Sequence, residues 1–182
     1  MASSGPLYPA TTVNDTSVGN TAWTNVNNAQ SLNSTVATIG SGAGGWRGNY
    51  LKATNFGFNI PAGSKIDGVF FEAVGVFGSN HKEDSVRLVN RNVISGNDKS
   101  TDSVLLGSAA NYSYGTSSDL WGLNLTVADV NNPGFGVVWA VGNTSGGGES
   151  NVDALRLTVH YTPSPLSIQG VQSITGIGIM AV

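Results

Sequence analysis

The chain contains no cysteine, so neither a disulfide nor a thiolate metal site can hold it, and the fold must rest on burial and hydrogen bonding alone. Charged residues make up only 10% of it, against about 25% in ordinary soluble domains. With a net charge of -3 there is no basic field to attract nucleic acid and no strong acidic field either, so nucleic acid is not an expected partner. Two histidines and no G-x-S-x-G elbow leave little material for a nucleophile, base and orienting group. No stretch approaches the roughly 20 consecutive apolar residues of a membrane-spanning helix, so no membrane is expected. The opening residues Met1–Pro9 have neither a basic segment nor the apolar run of a secretory signal, and export, if any, is expected by another route.

What is present is strand-like. At 182 residues the chain suits one domain plus extensions. Short strand patterns recur over 55–60, 68–77, 85–89, 103–107, 135–141 and 153–161, separated by clusters of Gly, Pro, Asn and Ser. That spacing predicts an all-β, antiparallel β-sandwich. Two strands alternate cleanly, with Phe135, Val137, Trp139 and Val141 on one side of the first and Leu155, Leu157, Val159 and Tyr161 on one side of the second. Alternation of this kind implies sheets with one dry face. The one helical turn expected is capped by Thr126, with Asp129 reaching back, and Pro133 prevents its extension.

Charge is confined to the middle: only Asp15 precedes Arg47, and no charged side chain follows Arg156. Residues 1–19 therefore read as an N-terminal arm, 20–162 as the sandwich and 163–182 as a C-terminal assembly tail. The tail carries Leu166, Ile168, Val171, Ile174, Ile177 and Ile179 without a single charge, and these six are the candidate self-association residues. Four of them recur every third residue, a period that fits neither a strand nor a sustained helix, and Gly170, Gly176 and Gly178 argue against helix on entropy grounds. Two readings stay open: the tail folds back on its own domain, or it reaches a neighbouring subunit by strand addition or by wrapping around a symmetry axis.

Candidate chemistry is sparse. Gly40–Gly45 matches G-x-G-x-x-G, with Asp67 further on, but no helical pattern follows to receive a pyrophosphate, so it reads as a loop. Asn97, Asp98 and Asp102 offer oxygens to calcium, yet three donors on one short loop are too few for a cation that takes six to eight. His81 opens the charged run His81–Asp84 and reads as a solvated loop tip. His160, sharing its side with Arg156 and Thr158, reads as the wet face of an outer strand or a subunit contact. Asp67 and Glu72 have the chemistry of glycosidase acids, but nothing in the sequence brings them together. No cofactor and no metal is expected. Among the tryptophans, Trp139 and Trp121 fall in register with apolar neighbours, whereas Trp46, beside glycines and Arg47, is the residue to test for contact with a glycan.

Three ordered blocks carry a resemblance. They are Trp23–Ala29 (WTNVNNA) with Thr35–Thr38 (TVAT); Asn49–Gly68 (NYLKATNFGFNIPAGSKIDG); and Asp119–Gly122 (DLWG) with Ala128–Gly136 (ADVNNPGFG) and Val152–Tyr161 (VDALRLTVHY). Over residues 20–162 they resemble a β-sandwich domain that recurs in structural proteins of tailed phages and prophages and in some bacterial surface proteins. The early Asn-Ala element is also similar to galactose-binding-like jelly rolls, although Leu32-Asn33 stands where such modules often carry a calcium-binding Asp. The resemblance implies a jelly-roll sandwich with extended arms, acting as a structural virion protein: a self-assembling head-decoration or cement subunit, or a tail or fibre component. Expected partners are further copies of the chain and other virion structural proteins. The alternatives are a carbohydrate-binding module for cell-surface glycans and a subunit of an extracellular filament built by strand exchange, located outside the cell or on its surface.

Overall fold

The computed structural model describes residues 1–41, 45–78, 80–143, 145 and 148–165. Among them the strands are β1 (Ala2–Leu7), β2 (Thr11–Asp15), β3 (Ala37–Ser41), β4 (Trp46–Arg47), β5 (Tyr50–Thr54), β6 (Lys65–Val76), β7 (His81–Asn90), β8 (Val93–Ser95), β9 (Ala110–Gly115), β10 (Gly136–Asn143) and β11 (Gly148–Thr162). A 3₁₀ turn at Val26–Ala29 and the single helical turn α1 (Val127–Val130) interrupt them.

The strands form two antiparallel sheets. In the first the order is β1-β11-β6-β9, with β3 also paired to β11; in the second it is β2-β5-β10-β7-β8, with β4 also paired to β10. From β3 onward the chain crosses between sheets so that β3-β11-β6-β9 faces β5-β10-β7-β8. That is the double Greek key of a jelly roll, and the protein is an all-β antiparallel sandwich as its pattern of strands predicts.

The core lies between the sheets and is built from alternate residues. Trp139 is wholly buried, ringed by Phe77 at 5.3 Å, Tyr112 at 6.1 Å and Tyr114 at 6.4 Å between centroids. Val137, Val141, Leu155, Leu157 and Val159 complete the inner faces of β10 and β11 at 0% exposure. Each such side chain contributes about 1.5–3 kcal/mol when removed from water. The loops bring in further indoles: Trp23 Nε1 donates to the Asn49 carbonyl and Trp121 Nε1 to the Val69 carbonyl, both at 2.9 Å. Trp121 holds a left-handed backbone, φ 58°, followed by Gly122 at φ 73°, which realises the Trp-Gly turn.

Strand β10 departs from the expectation of one dry face. Val138 and Ala140 on its outer side are also fully buried, in a second small cluster with Tyr50 and Val89, covered by Val18 and Ile94. A strand between two neighbours with cover on both faces reads as a continuous apolar run, as GVVWAV does.

Three further expectations are corrected. Residues 1–19 are not a free arm: β1 pairs with β11 (Ala2↔Tyr161, Leu7↔Leu157) and β2 with β5 (Thr11↔Thr54, Asp15↔Tyr50), so the segment supplies one strand to each sheet of its own domain. Edge strands are held by backbone pairing and need little apolar content, so ASSGPL and TTVND carry no hydrophobic signal. Residues 55–60 are not a ladder strand. Phe56, Phe58 and Ile60 are buried by alternation, but the Asn131 amide supplies the pairing instead, accepting from the Ile60 N–H and donating to its carbonyl at 2.9 Å each. Residues 103–107 contribute only an isolated bridge, Lys82↔Val104. The helical turn appears as expected, with the Thr126 hydroxyl accepting from the Asp129 N–H at 3.2 Å and the Asp129 carboxylate accepting from the Thr126 N–H at 3.0 Å.

Trp139→Ala is expected to lower the unfolding free energy by about 3–5 kcal/mol, and Thr126→Ala by about 1 kcal/mol. Chemical denaturation of the two variants checks both, and equal losses would mean that the core does not dominate.

Candidate functional site

Every lysine and arginine in the chain is spent inside it. The count is 8, and each lies within ion-pair distance of a different carboxylate. The pairs are Arg47 with Asp84, Lys52 with Asp15, Lys65 with Asp67, Lys82 with Asp102, Arg87 with Asp98, Arg91 with Asp129, Lys99 with Asp119 and Arg156 with Glu72. Pairs this exposed stabilise little, about 0–1 kcal/mol each. Their consequence is electrostatic: each cation has a carboxylate beside it, so no isolated positive side chain stands on the surface. Of the remaining carboxylates, Glu83 accepts from Tyr114, from the Thr101 amide and from the Thr101 hydroxyl at 2.8, 2.7 and 2.9 Å. Asp153 accepts from the amides of Asn33 and Ser34, each at 3.0 Å, and Glu149 is exposed.

These partners also show where the candidate site residues lie. Asp67 accepts from the Thr162 hydroxyl at 2.6 Å and Glu72 from Arg156 at 2.8 Å, so the two acids of β6 are engaged with separate groups. Asp98 accepts from the Val86 amide at 2.9 Å and the Ser85 hydroxyl at 2.6 Å, while Asp102 pairs with Lys82 at 3.2 Å. Burial opposes ionisation of Asp98, but its hydrogen bonds from Ser85, Val86 and Ser100 outweigh that and hold it below the usual carboxylate range. Among the described residues no group of three or more His, Asp or Glu converges to hold a metal ion. After Gly45 the chain enters β4 rather than a helix, so the glycine string has no helical N-terminus to offer a pyrophosphate.

Two residues lie where the sequence reading did not put them. His81 is not a solvated tip; it opens β7 with 0% exposure, its Nδ1 paired to the Ser150 hydroxyl and its Nε2 without a partner. Strand alternation sends His81 and Glu83 inward and Lys82 and Asp84 outward, before a register shift turns Ser85 to the outer face opposite Ala140, a period-2 signal that the charge of the run conceals. Trp46 is 6% exposed in β4, edge-on to His81 at 5.1 Å, so it has no free face on which a sugar can stack. Trp23, Trp121 and Trp139 are buried as well, at 4%, 0% and 0%. His160 is half-buried on β11, which is flanked by β1 and β6 and is therefore an interior strand rather than an outer one. The self-association candidates Leu166, Ile168, Val171, Ile174, Ile177 and Ile179 lie outside the described residues.

Among the described residues a cleft of about 380 Å³ lies between the edges of the two sheets. One wall is β9, which among the described residues pairs only with β6. The other is a ribbon, residues 99–106, held along β7 by Lys99 N–H to Val86 O at 2.9 Å and Leu105 N–H to His81 O at 2.8 Å, then carried to the end of β6 by Phe77 N–H to Leu106 O at 3.1 Å. Tyr112, Tyr114, Glu83 and Val104 line it. Burial, then the neighbouring Glu83 charge, pushes the Tyr114 phenol far above its ordinary value, so it stays protonated and donates to Glu83. Lys99 lies 2.7 Å from Asp119 and over the Trp121 ring. The cleft thus presents hydroxyls, aliphatic surface and a strand edge, with its charges satisfied internally. It can receive a neutral extended chain by backbone pairing; sequence reasoning missed it because only the fold brings 99–106 beside 110–115. Comparison of the chain with protein-family models, curated proteins and solved structures gives no match.

Burial lowers the His81 pKa below its ordinary 6.5, so the unfolded chain binds that proton first and stability falls as pH drops below about 6.5. Asp129, held to about 2 by its bonds from Thr126 and Arg91, contributes stability that is lost only as pH falls from about 4 toward 2. The denaturation midpoint should therefore drop between about pH 7.5 and 5.5, and His81→Gln should flatten that dependence; an unchanged slope in the variant would assign it to other groups.

Proposed function

We propose that this chain is a structural virion protein of a tailed phage, a self-associating subunit of the head-decoration or cement kind or a component of the tail or fibre. The observation that carries the reading is the internal pairing of all the cations. A subunit in a symmetric particle is surrounded by identical copies, so an unbalanced patch at a two-fold contact meets its own repulsive image. A surface that closes its charges locally avoids that repulsion and leaves contact to apolar burial, at about 25 cal/mol per Å². The jelly-roll sandwich and the resemblance of the ordered blocks to phage structural domains support the same assignment. With the N-terminal strands engaged in their own sheets, the uncharged C-terminal segment is the element left to join copies and neighbouring virion proteins. The glycan-binding reading draws no support from the tryptophans, all of which are buried.

Purified full-length protein is expected to form a defined oligomer by light scattering, to keep it in high salt because screening does not weaken uncharged contacts, and to become monomeric when residues 166–182 are removed. A full-length monomer would overturn the reading. Immunogold labelling of particles purified from the native source separates virion from cell-surface location.

A further inference from the structure

The edges of the two sheets are not equally protected. β8 has three residues, β2 carries Asp15 in an ion pair with Lys52, and β1 is interrupted by Pro6 and a register shift between Ser4 and Leu7. Short length, charge, proline and irregular register are the devices that blunt an edge against strand addition. β9 has none of them. Its sequence, Ala110-Asn-Tyr-Ser-Tyr-Gly115, is uncharged and proline-free over six residues, and among the described residues only β6 pairs with it. Beside that edge runs the cleft described above, lined in part by Val104, which is 56% exposed.

The same chain contains a segment of matching chemistry. Residues 166–182 have no charged side chain, and the cleft has no unpaired charge to demand one, since Lys99 is held by Asp119 and Glu83 by Tyr114 and Thr101. Length is sufficient: an extended segment of that size spans about 55 Å, and the cleft wall formed by β9 is roughly 20 Å long.

The exit point distinguishes a neighbour's tail from the chain's own. Ser164 packs against Gly63 at the turn before β6, and β11 ends opposite Lys65, whereas β9 reaches only as far as Phe70 along the same strand. Between the two lies the loop that follows β9, whose Ser117 backbone is folded so closely over Gly68 that a Cβ there would stand 2.4 Å from it. A tail of the same molecule therefore starts beyond the end of β9 with this loop in between, whereas a second copy can approach the edge of β9 from the side of the exposed Val104.

We propose that the cleft between β9 and the 99–106 ribbon is the acceptor for residues 166–182 of a second copy of this chain, which add to the free edge of β9 as a strand. The inference rests on the self-association reading and specifies its interface.

Because the chain has no native cysteine, disulfide trapping tests it without background. Full-length Ser113→Cys and full-length Ile174→Cys are mixed under mild oxidation and resolved on a non-reducing gel, alongside the Ser113→Cys/Ile174→Cys double variant. A disulfide-linked heterodimer in the mixture, with multimeric ladders from the double variant, is the expected result. A double variant that closes only within one chain overturns the proposal in favour of docking in the same molecule. In parallel, Ser113→Lys and Val104→Lys, both at exposed positions, are expected to weaken self-association about tenfold or more with the denaturation midpoint unchanged. If wild type assembles, no cross-link forms and both lysine variants assemble normally, the acceptor lies elsewhere while self-association stands. If wild type is monomeric, both readings fall.

Discussion

Burial between the sheets around Trp139 is the interaction on which the remainder of the molecule depends. With no cysteine in the chain, no disulfide shares the task. The indole is placed by β10, met from the facing sheet by Phe77, Tyr112 and Tyr114, and enclosed without solvent exposure. Because aromatic groups from β9 and the end of β6 are drawn into this centre, the edge of β9 is held rigidly beside the ribbon along β7. The cleft is a by-product of that packing: two sheets of unequal outline cannot close flush along every side, and the gap falls where the ribbon replaces a regular strand.

Charge has a second, different role. In a domain with few ionic groups, each cation is neutralised by a carboxylate of its own chain, and most of these pairs join sequence-distant elements, as Arg91 does with the cap of α1 and Arg156 with Glu72 on the adjacent strand. The energetic return of such pairs is small. Under the self-association proposed above, their value is the removal of long-range fields, since two identical unbalanced surfaces repel wherever they are brought face to face. Recognition by a surface of this kind falls to shape, apolar contact and backbone hydrogen bonds, which is what an open strand edge supplies.

Much of the sandwich was legible from pattern. The alternation of Val137, Trp139 and Val141 and of Leu155, Leu157 and Val159, the Trp121-Gly122 turn and the Thr126–Asp129 cap each have a local chemical cause and each appear as read. The misreadings share a physical reason. Phe56, Phe58 and Ile60 alternate in burial without pairing to a strand, because alternation reports which face is dry and not whether a ladder exists. The N-terminal strands pair through their backbones, to which side-chain hydropathy is blind. His81 sits in a charged run whose outward members answer to solvent and whose inward members do not, and Trp46 is covered by packing that its glycine-rich neighbourhood conceals.

The sequence by itself determined the class of fold, the absence of thiol chemistry and the scarcity and balance of charge, because these follow from composition and from periodicities that act over a few residues. Tertiary structure alone decided which carboxylate meets which cation, that β1 and β2 belong to the domain, that His81 and Trp46 are interior, and that β9 faces the 99–106 ribbon across an open cleft. Those outcomes depend on contacts between residues far apart along the chain. No local pattern encodes such pairings, because they are selected by the joint closure of two sheets over a single core.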